Sequence, residues 1–157
     1  MERVPHNRPP DAAGWTLKAD SSGFSFRIAD ASLANNARNI FQRYLTTQVD
    51  AGCSDVDGAE LIFGELLGNV ARHAPGSIEV RLRWNGLVAI LEVGDCGPGY
   101  EIEDVHLPGD FAESRRGLFL VAAFGSDLRV RHHGGRTTTT VTLPVTRRRP
   151  AAGAPAS

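Results

Sequence analysis

Three polar residues recur four positions apart in one apolar-periodic segment: Glu65, Asn69 and His73. On a helix they lie about 40° apart around the axis and share one stripe. Magnesium bound to a triphosphate takes only one or two protein oxygens, and the neutral amide of Asn69 supplies one. Glu65, one turn earlier, can orient or deprotonate an attacking hydroxyl in phosphoryl transfer. The same spacing also occurs on the solvated side of an ordinary amphipathic helix, so the stripe alone leaves both interpretations open.

A carboxylate and two glycines follow an apolar run at residues 95–99, Asp-Cys-Gly-Pro-Gly. Gly97 and Gly99 let the backbone pass close to a flat ligand such as a purine. The carboxylate of Asp95 can accept a hydrogen bond from the amino group of adenine, whereas guanine presents a carbonyl oxygen at that place. The pattern is typical of an adenine site and also of a plain turn between elements.

Two arginines open a predicted helix at Arg115-Arg116-Gly117-Leu118. Free backbone amides and the positive end of the helix dipole favour phosphate oxygens at such a position. Arginines beside a helix start are also common exposed residues. The threonine run at 137–140 by itself indicates strand propensity rather than ligand chemistry.

The periodicity of the sequence predicts the elements that must position these residues. Strands are expected where apolar and polar residues alternate or apolar residues cluster, at 24–28, 78–84, 87–93, 127–133 and 136–145. Helices are expected at 32–52, 54–73 and 117–124, the last of them stopped by Gly125. Asn85-Gly86 and Gly134-Gly135 indicate two antiparallel hairpins. Because helices and hairpins are segregated, we expect an α/β two-layer sandwich with a mixed, mainly antiparallel sheet and helices on one face.

The length and composition limit the classes of protein to which this chain can belong. A chain of 157 residues suits one domain, expected at 15–146, with disordered tails at 1–14 and 147–157. The 17 basic and 18 acidic residues nearly cancel, so no global field attracts nucleic acid or an anionic membrane. Cys53 and Cys96 have no partners at disulfide-framework or zinc-ligand spacing, and no apolar run approaches the roughly 20 residues of a membrane span. These features predict a cytoplasmic protein.

Four segments, in chain order, resemble the nucleotide-binding boxes of the histidine-kinase-like ATPase superfamily: 65–74, 95–99, 116–121 and 135–137. In its small size and its opening segment at 24–52, the chain is most similar to the bacterial anti-sigma factor serine/threonine kinases of the partner-switching type. The resemblance implies a Bergerat-type sandwich that binds ATP with Mg²⁺. It also implies transfer of the γ-phosphate to a serine of an anti-anti-sigma (STAS) protein, and binding of a sigma factor by a homodimer.

The resemblance also implies a role for individual residues. Glu65 matches the family's general base, Asn69 its magnesium ligand and Asp95 its adenine-recognising carboxylate. Thr137 matches a late threonine near the adenine, and His73 matches a position that is often basic or histidine. The remaining matches to the nucleotide-binding loops are Gly97, Gly99, Arg116, Gly117 and Leu118.

The segment at 115–117, which corresponds to the lid over the nucleotide in the family, departs from the family pattern, because Arg115 replaces the first glycine of Gly-x-Gly. An arginine there either restricts the backbone of the lid or adds a phosphate contact. The alternative to a kinase is therefore a non-catalytic interaction module of the same fold, with nucleotide structural or absent. The ATPase half of a two-component sensor kinase is disfavoured, because no helical segment with a phosphoacceptor histidine precedes the boxes and His6 lies in a predicted tail.

Overall fold

The computed structural model describes residues 15–20, 22–28, 34–73, 78–95 and 120–149. The strands are β1 (Trp15–Asp20), β2 (Gly23–Ile28), β3 (Ile78–Asn85), β4 (Val88–Asp95), β5 (Ser126–His133) and β6 (Arg136–Thr146), and the longer helices are α1 (Ala34–Gln48) and α2 (Val56–His73). The sheet order is β1-β2-β3-β4-β6-β5, and every described pair is antiparallel. The predicted α/β sandwich is confirmed, with a wholly antiparallel sheet in the described ranges. Neither α1 nor α2, nor the short helical pieces described, is long and apolar enough to span a bilayer.

The structure adds to the sequence prediction at both ends of the domain. Strand β1 pairs with β2 along its whole length, although the pattern indicated no strand before residue 24. At the other end, the amide of Arg147 donates to Leu87 O at 2.9 Å, and the amide of Arg148 donates to Gln48 O at 2.8 Å. Regular hydrogen bonding therefore continues past Thr146, into the segment expected to be a tail.

The third predicted helix is described only in its last turn, residues 120–124. It ends at Gly125 as predicted, and the Gly125 amide donates to Val121 O at 2.9 Å. A Cβ at this position would lie 2.6 Å from the Val141 side chain, so only glycine lets the helix end this close to β6. The start of this helix lies outside the described residues.

Both predicted hairpin turns are confirmed. Gly86 has a φ of 61°, and Gly134 and Gly135 have φ of 57° and 74°. Glycine adopts these left-handed conformations without the strain that a side chain would add, and such turns match the twist of paired strands.

Phenylalanine rings connect the two layers of the sandwich. The rings of Phe41 on α1 and Phe63 on α2 stack with centroids 4.0 Å apart, and Phe63 lies 6.2 Å from Phe26 of β2. All three side chains are at most 3% exposed. Burial of large aromatic side chains is a main source of packing energy, so this cluster fixes α1 against α2 and both over the sheet.

The connection between the two helices is fastened to β6. The amide of Asp50 donates to Thr146 O, and that of Asp55 donates to Pro144 O, both at 2.8 Å. Asp55 then caps α2, because its Oδ1 accepts a hydrogen bond from the amide of Gly58 at 2.9 Å. These contacts fix where α2 starts on the sheet and so which of its side chains face inward.

Candidate functional site

Asp95 and Thr137 lie directly opposite each other at the end of the β4/β6 ladder. Both belong to the buried rows that face the helices, with Asp95 6% and Thr137 2% exposed. Side chains at opposite positions of an antiparallel pair share a face, with Cβ atoms about 4.5–5.5 Å apart. The two residues predicted to lie near adenine therefore form one polar patch.

His132 belongs to the same patch, although the sequence analysis did not single it out. It is the cross-strand partner of Thr137 on β5, and its Nδ1 lies 3.1 Å from Thr137 Oγ1. The Gly134-Gly135 turn could have revealed it, because a two-residue hairpin loop pairs the residues two positions before and after it. His132 can hold the Thr137 hydroxyl in one orientation.

Asn69 has a buried oxygen atom without a partner. Its side chain is 7% exposed, and Oδ1 accepts no hydrogen bond within the described structure. A buried acceptor left unsatisfied costs about 1–3 kcal/mol, so such an atom calls for an explanation such as a ligand. An amide oxygen is a ligand that Mg²⁺ accepts. The residue present therefore fits the predicted magnesium role.

The topology brings Asn69 to the end of the sandwich where Asp95 lies. Helix α2 packs on β4 and β6. Strand β3 begins five residues after α2 ends, and its start lies beside the end of β4, where Glu79 pairs with Gly94. The last turns of α2 and the Asp95–Thr137 pair therefore meet at one end of the molecule, on the helical side of the sheet.

Glu65 is half-buried and lines an open groove of about 410 Å³ between α1 and α2. Arg38 crosses this groove from α1, and its Nη2 donates to Gly64 O at 3.3 Å. Nothing in the local sequence pattern of α1 links Arg38 to α2, so the sequence alone did not indicate this residue. The carboxylate predicted to act as a base thus opens onto a charged groove between the two helices.

Several predicted site residues cannot be placed. Those outside the described residues are Gly97, Gly99, Arg115, Arg116, Gly117 and Leu118. His73 is the last residue of α2, and its side chain also lies outside the description. Asn69, Asp95, Thr137 and Glu65 are the predicted residues that the structure locates in full.

Comparison with known proteins gave a family match and similar solved structures. The profile of the Histidine kinase-like ATPase domain matches residues 21–143. Among solved structures, histidine kinase AdeS of Acinetobacter baumannii is similar, with 14% identity over 83% of this chain and 66% of that chain and a TM-score of 0.48. The histidine kinase domain of a blue-light activated histidine kinase from Erythrobacter litoralis has 22% identity over 75% of this chain and 62% of that chain, with a TM-score of 0.44. The chain thus spans less than two thirds of either protein, and a search of curated proteins gave no significant match.

Proposed function

This chain belongs to the family of histidine kinase-like ATPase domains, and from that premise we propose that it is an ATP-dependent protein serine kinase. In this proposal it phosphorylates an anti-anti-sigma (STAS) protein and, as a homodimer in the bacterial cytoplasm, sequesters a sigma factor. The observation that carries the nucleotide part is the unsatisfied Oδ1 of Asn69 at the end of the sandwich where Asp95 and Thr137 form a polar pair. The partners follow from the resemblance of the nucleotide boxes and of the opening segment at 24–52.

Each located residue has a task in the proposed reaction. Asp95 accepts a hydrogen bond from the amino group of adenine, with Thr137 beside it, and Asn69 Oδ1 binds magnesium. The bound ion supplies neutralisation of the charge on the phosphates. The carboxylate of Glu65 orients the serine hydroxyl of the substrate protein and accepts its proton. The groove that Glu65 shares with Arg38 admits the segment that carries this serine.

Glu65→Gln tests the catalytic part of the proposal, because it keeps the size of the side chain and removes the base. Transfer of phosphate from radiolabelled ATP to a STAS protein should fall by about 100-fold or more, while calorimetry should show unchanged ATP binding. Glu60→Gln is the matched control, since Glu60 lines the same groove on the same helix; because it removes a groove carboxylate other than the base, it should keep the rate of transfer at saturating STAS protein. Equal activity of the Glu65→Gln and Glu60→Gln proteins would refute the role of Glu65.

Arg115 favours a second candidate function, a non-catalytic interaction module. Arginine replaces the glycine that gives the family's lid its conformational freedom, and this change is compatible with lost turnover. In that case the wild type transfers no phosphate, and neither Glu65→Gln nor Glu60→Gln changes the binding of its partner. Transfer by the wild type that Glu65→Gln abolishes would exclude this candidate.

A further inference from the structure

The face of the sheet opposite the helices carries an excess of arginines, and we call it the outer face. Its arginines are Arg27 on β2, Arg81 and Arg83 on β3, Arg129 and Arg131 on β5, and Arg136 on β6. Four carboxylates accompany these six arginines, namely Asp20, Glu79, Glu92 and Asp127. The whole chain has a net charge of −1. Positive charge is therefore concentrated on one side of a protein whose composition is balanced.

Some of these arginines are already neutralised within the face. Glu79 accepts hydrogen bonds from both Arg27 and Arg136, and Arg129 Nη2 lies 3.1 Å from Asp127 Oδ1. Arg81 and Arg131 are exposed and make no ion pair or hydrogen bond with any residue of the described ranges. Two guanidinium groups thus remain available to a partner.

The two available arginines lie on different strands of the outer face, Arg81 on β3 and Arg131 on β5. Strands β4 and β6 separate β3 from β5, so the two arginine rows are about 14 Å apart at the usual strand spacing. Across β4 and β6, Gly94 pairs with Thr138 and Glu92 pairs with Thr140, and the Arg136 side chain passes over Gly94 to reach Glu79. A hollow of about 360 Å³ on the β2–β4 side of these residues is lined by Arg81 and by the carboxylates of Glu79 and Glu92. An α-helix with its side chains is about 10–12 Å wide, so its width matches the spacing of the two arginine rows.

We propose that the outer face docks an acidic segment of a partner protein, whose carboxylates pair with Arg81 and Arg131. Guanidinium groups bind carboxylates through two parallel hydrogen bonds, and arginine is enriched at protein interfaces. Repulsion between two identical basic faces argues against a second copy of this chain. The outward positions described on β2 to β6 include no Phe, Tyr or Trp for stacking on bases, which argues against single-stranded nucleic acid as the partner. This docking surface is separate from the nucleotide site, which lies on the helical side.

Binding of fluorescently labelled poly-L-glutamate to the full chain, measured by anisotropy, tests this proposal. Binding should weaken as salt is added, and Arg81→Gln/Arg131→Gln should bind about tenfold more weakly than the wild type. Arg43→Gln/Arg148→Gln is the matched control. It removes the same charge from exposed positions on α1 and beside the end of α1, and should bind like the wild type.

Four results of these binding and sedimentation experiments would overturn the proposal. No binding, or an equal loss in the two double variants, overturns the proposal. Tighter binding of duplex DNA than of poly-L-glutamate at the same ionic strength would assign the face to nucleic acid, and a wild-type dimer that Arg81→Gln/Arg131→Gln dissociates in sedimentation would assign it to a second copy. Both results would also overturn the proposal. Asn69→Ala should keep poly-L-glutamate binding and Arg81→Gln/Arg131→Gln should keep ATP binding, so this proposal and the proposed function can fail separately.

Discussion

Replacing Asn69 by leucine should stabilise the protein without ligand and remove its response to nucleotide. The Asn69 side chain is 7% exposed and its Oδ1 is unsatisfied. Leucine has a similar shape and no polar atom, so the change relieves about 1–3 kcal/mol, and its higher helix propensity adds about 0.5 kcal/mol. At about 2–4 °C per kcal/mol for a chain of this size, the unfolding midpoint should rise by roughly 5 °C.

The order of stability should reverse when magnesium and ATP are present in excess. A ligand at 1,000 times its dissociation constant stabilises the folded state by about 4.1 kcal/mol, which exceeds the total of about 1.5–3.5 kcal/mol expected from the substitution. The wild type should gain this stabilisation, whereas Asn69→Leu lacks the oxygen that holds the magnesium ion. The same substitution is therefore expected to be stabilising in one buffer and relatively destabilising in another.

Thermal unfolding followed by circular dichroism, with and without magnesium and ATP, measures both effects. Asn39→Leu is the matched control, because Asn39 is exposed on α1 and reports the helix-propensity gain alone. Its midpoint should rise only slightly and should respond to ligand like the wild type. An Asn69→Leu protein that is less stable than the wild type without ligand would refute the reasoning about the buried oxygen. A variant that keeps the full ligand-induced shift would refute Asn69 as the magnesium ligand.

Three further substitutions test the fold and the site. Tyr44→Phe should lower the free energy of unfolding by about 1–3 kcal/mol in urea titrations, because the Tyr44 hydroxyl accepts a hydrogen bond from Trp84 Nε1 at 3.0 Å and donates one to Asp20 O at 3.1 Å. Burial raises the pKa of the Tyr44 hydroxyl above 10.0. The difference in unfolding free energy between wild type and Tyr44→Phe should therefore be complete below pH 10.0 and shrink as the pH rises through the pKa that Tyr44 has in the folded protein. Glu79→Gln should cost less than about 1 kcal/mol at pH 7, since its ion pairs are partly exposed and screened. Although burial opposes ionisation, the neighbouring arginines hold the pKa of Glu79 below 4.5. The contribution of the Glu79 charge to the free energy of unfolding should therefore be present above pH 4.5 and vanish as the pH falls through the pKa that Glu79 has in the folded protein. Asp95→Asn should weaken ATP binding about tenfold in calorimetry and reduce the preference for ATP over GTP, because an amide can donate as well as accept.

Each of these three tests has a result that contradicts it. Unchanged stability of Tyr44→Phe would mean that the hydroxyl is satisfied equally well by water in the unfolded chain. A constant difference between Glu79→Gln and the wild type from pH 7 down to acid would show that the Glu79 charge contributes nothing. An unchanged ATP-to-GTP preference in Asp95→Asn would assign base recognition to another residue.

The local signals in the sequence predicted the local structure. The glycines of Asn85-Gly86 and Gly134-Gly135 predicted both hairpins, because the positive φ of Gly86, Gly134 and Gly135 is favourable mainly for glycine. Strand β1 lacked such a signal, since its stability depends on pairing with β2 rather than on its own pattern. The position of β6 between β4 and β5 likewise depends on which distant strands pair, and neither turn residues nor periodicity encode that pairing.

The candidate site likewise combines residues that the sequence indicated with contacts that only the folded structure shows. The sequence assigned Asp95 and Thr137 to one ligand only through a family resemblance, and strand register places them opposite each other. The buried Oδ1 of Asn69 and the contact of Arg38 with Gly64 arise from packing between helices and sheet. Burial and interhelical contacts of this kind depend on residues far apart in the chain, so no spacing rule reveals them.

The β4/β6 ladder shifts register once, between Val88 and Ile90, near Pro144, which has no amide hydrogen to give to a neighbouring strand. This irregularity divides the pair into two parts with different tolerance for insertions and deletions. Loss of one residue from 138–141 would turn Thr137 to the outer face, because side chains alternate between faces along a strand. A length change at 143–145 falls where the two strands already contribute unequal numbers of residues and leaves Thr137 in place. Among evolutionary relatives of this chain, gaps should therefore accumulate at the Val88 end of the ladder and be absent from the end where the base would bind.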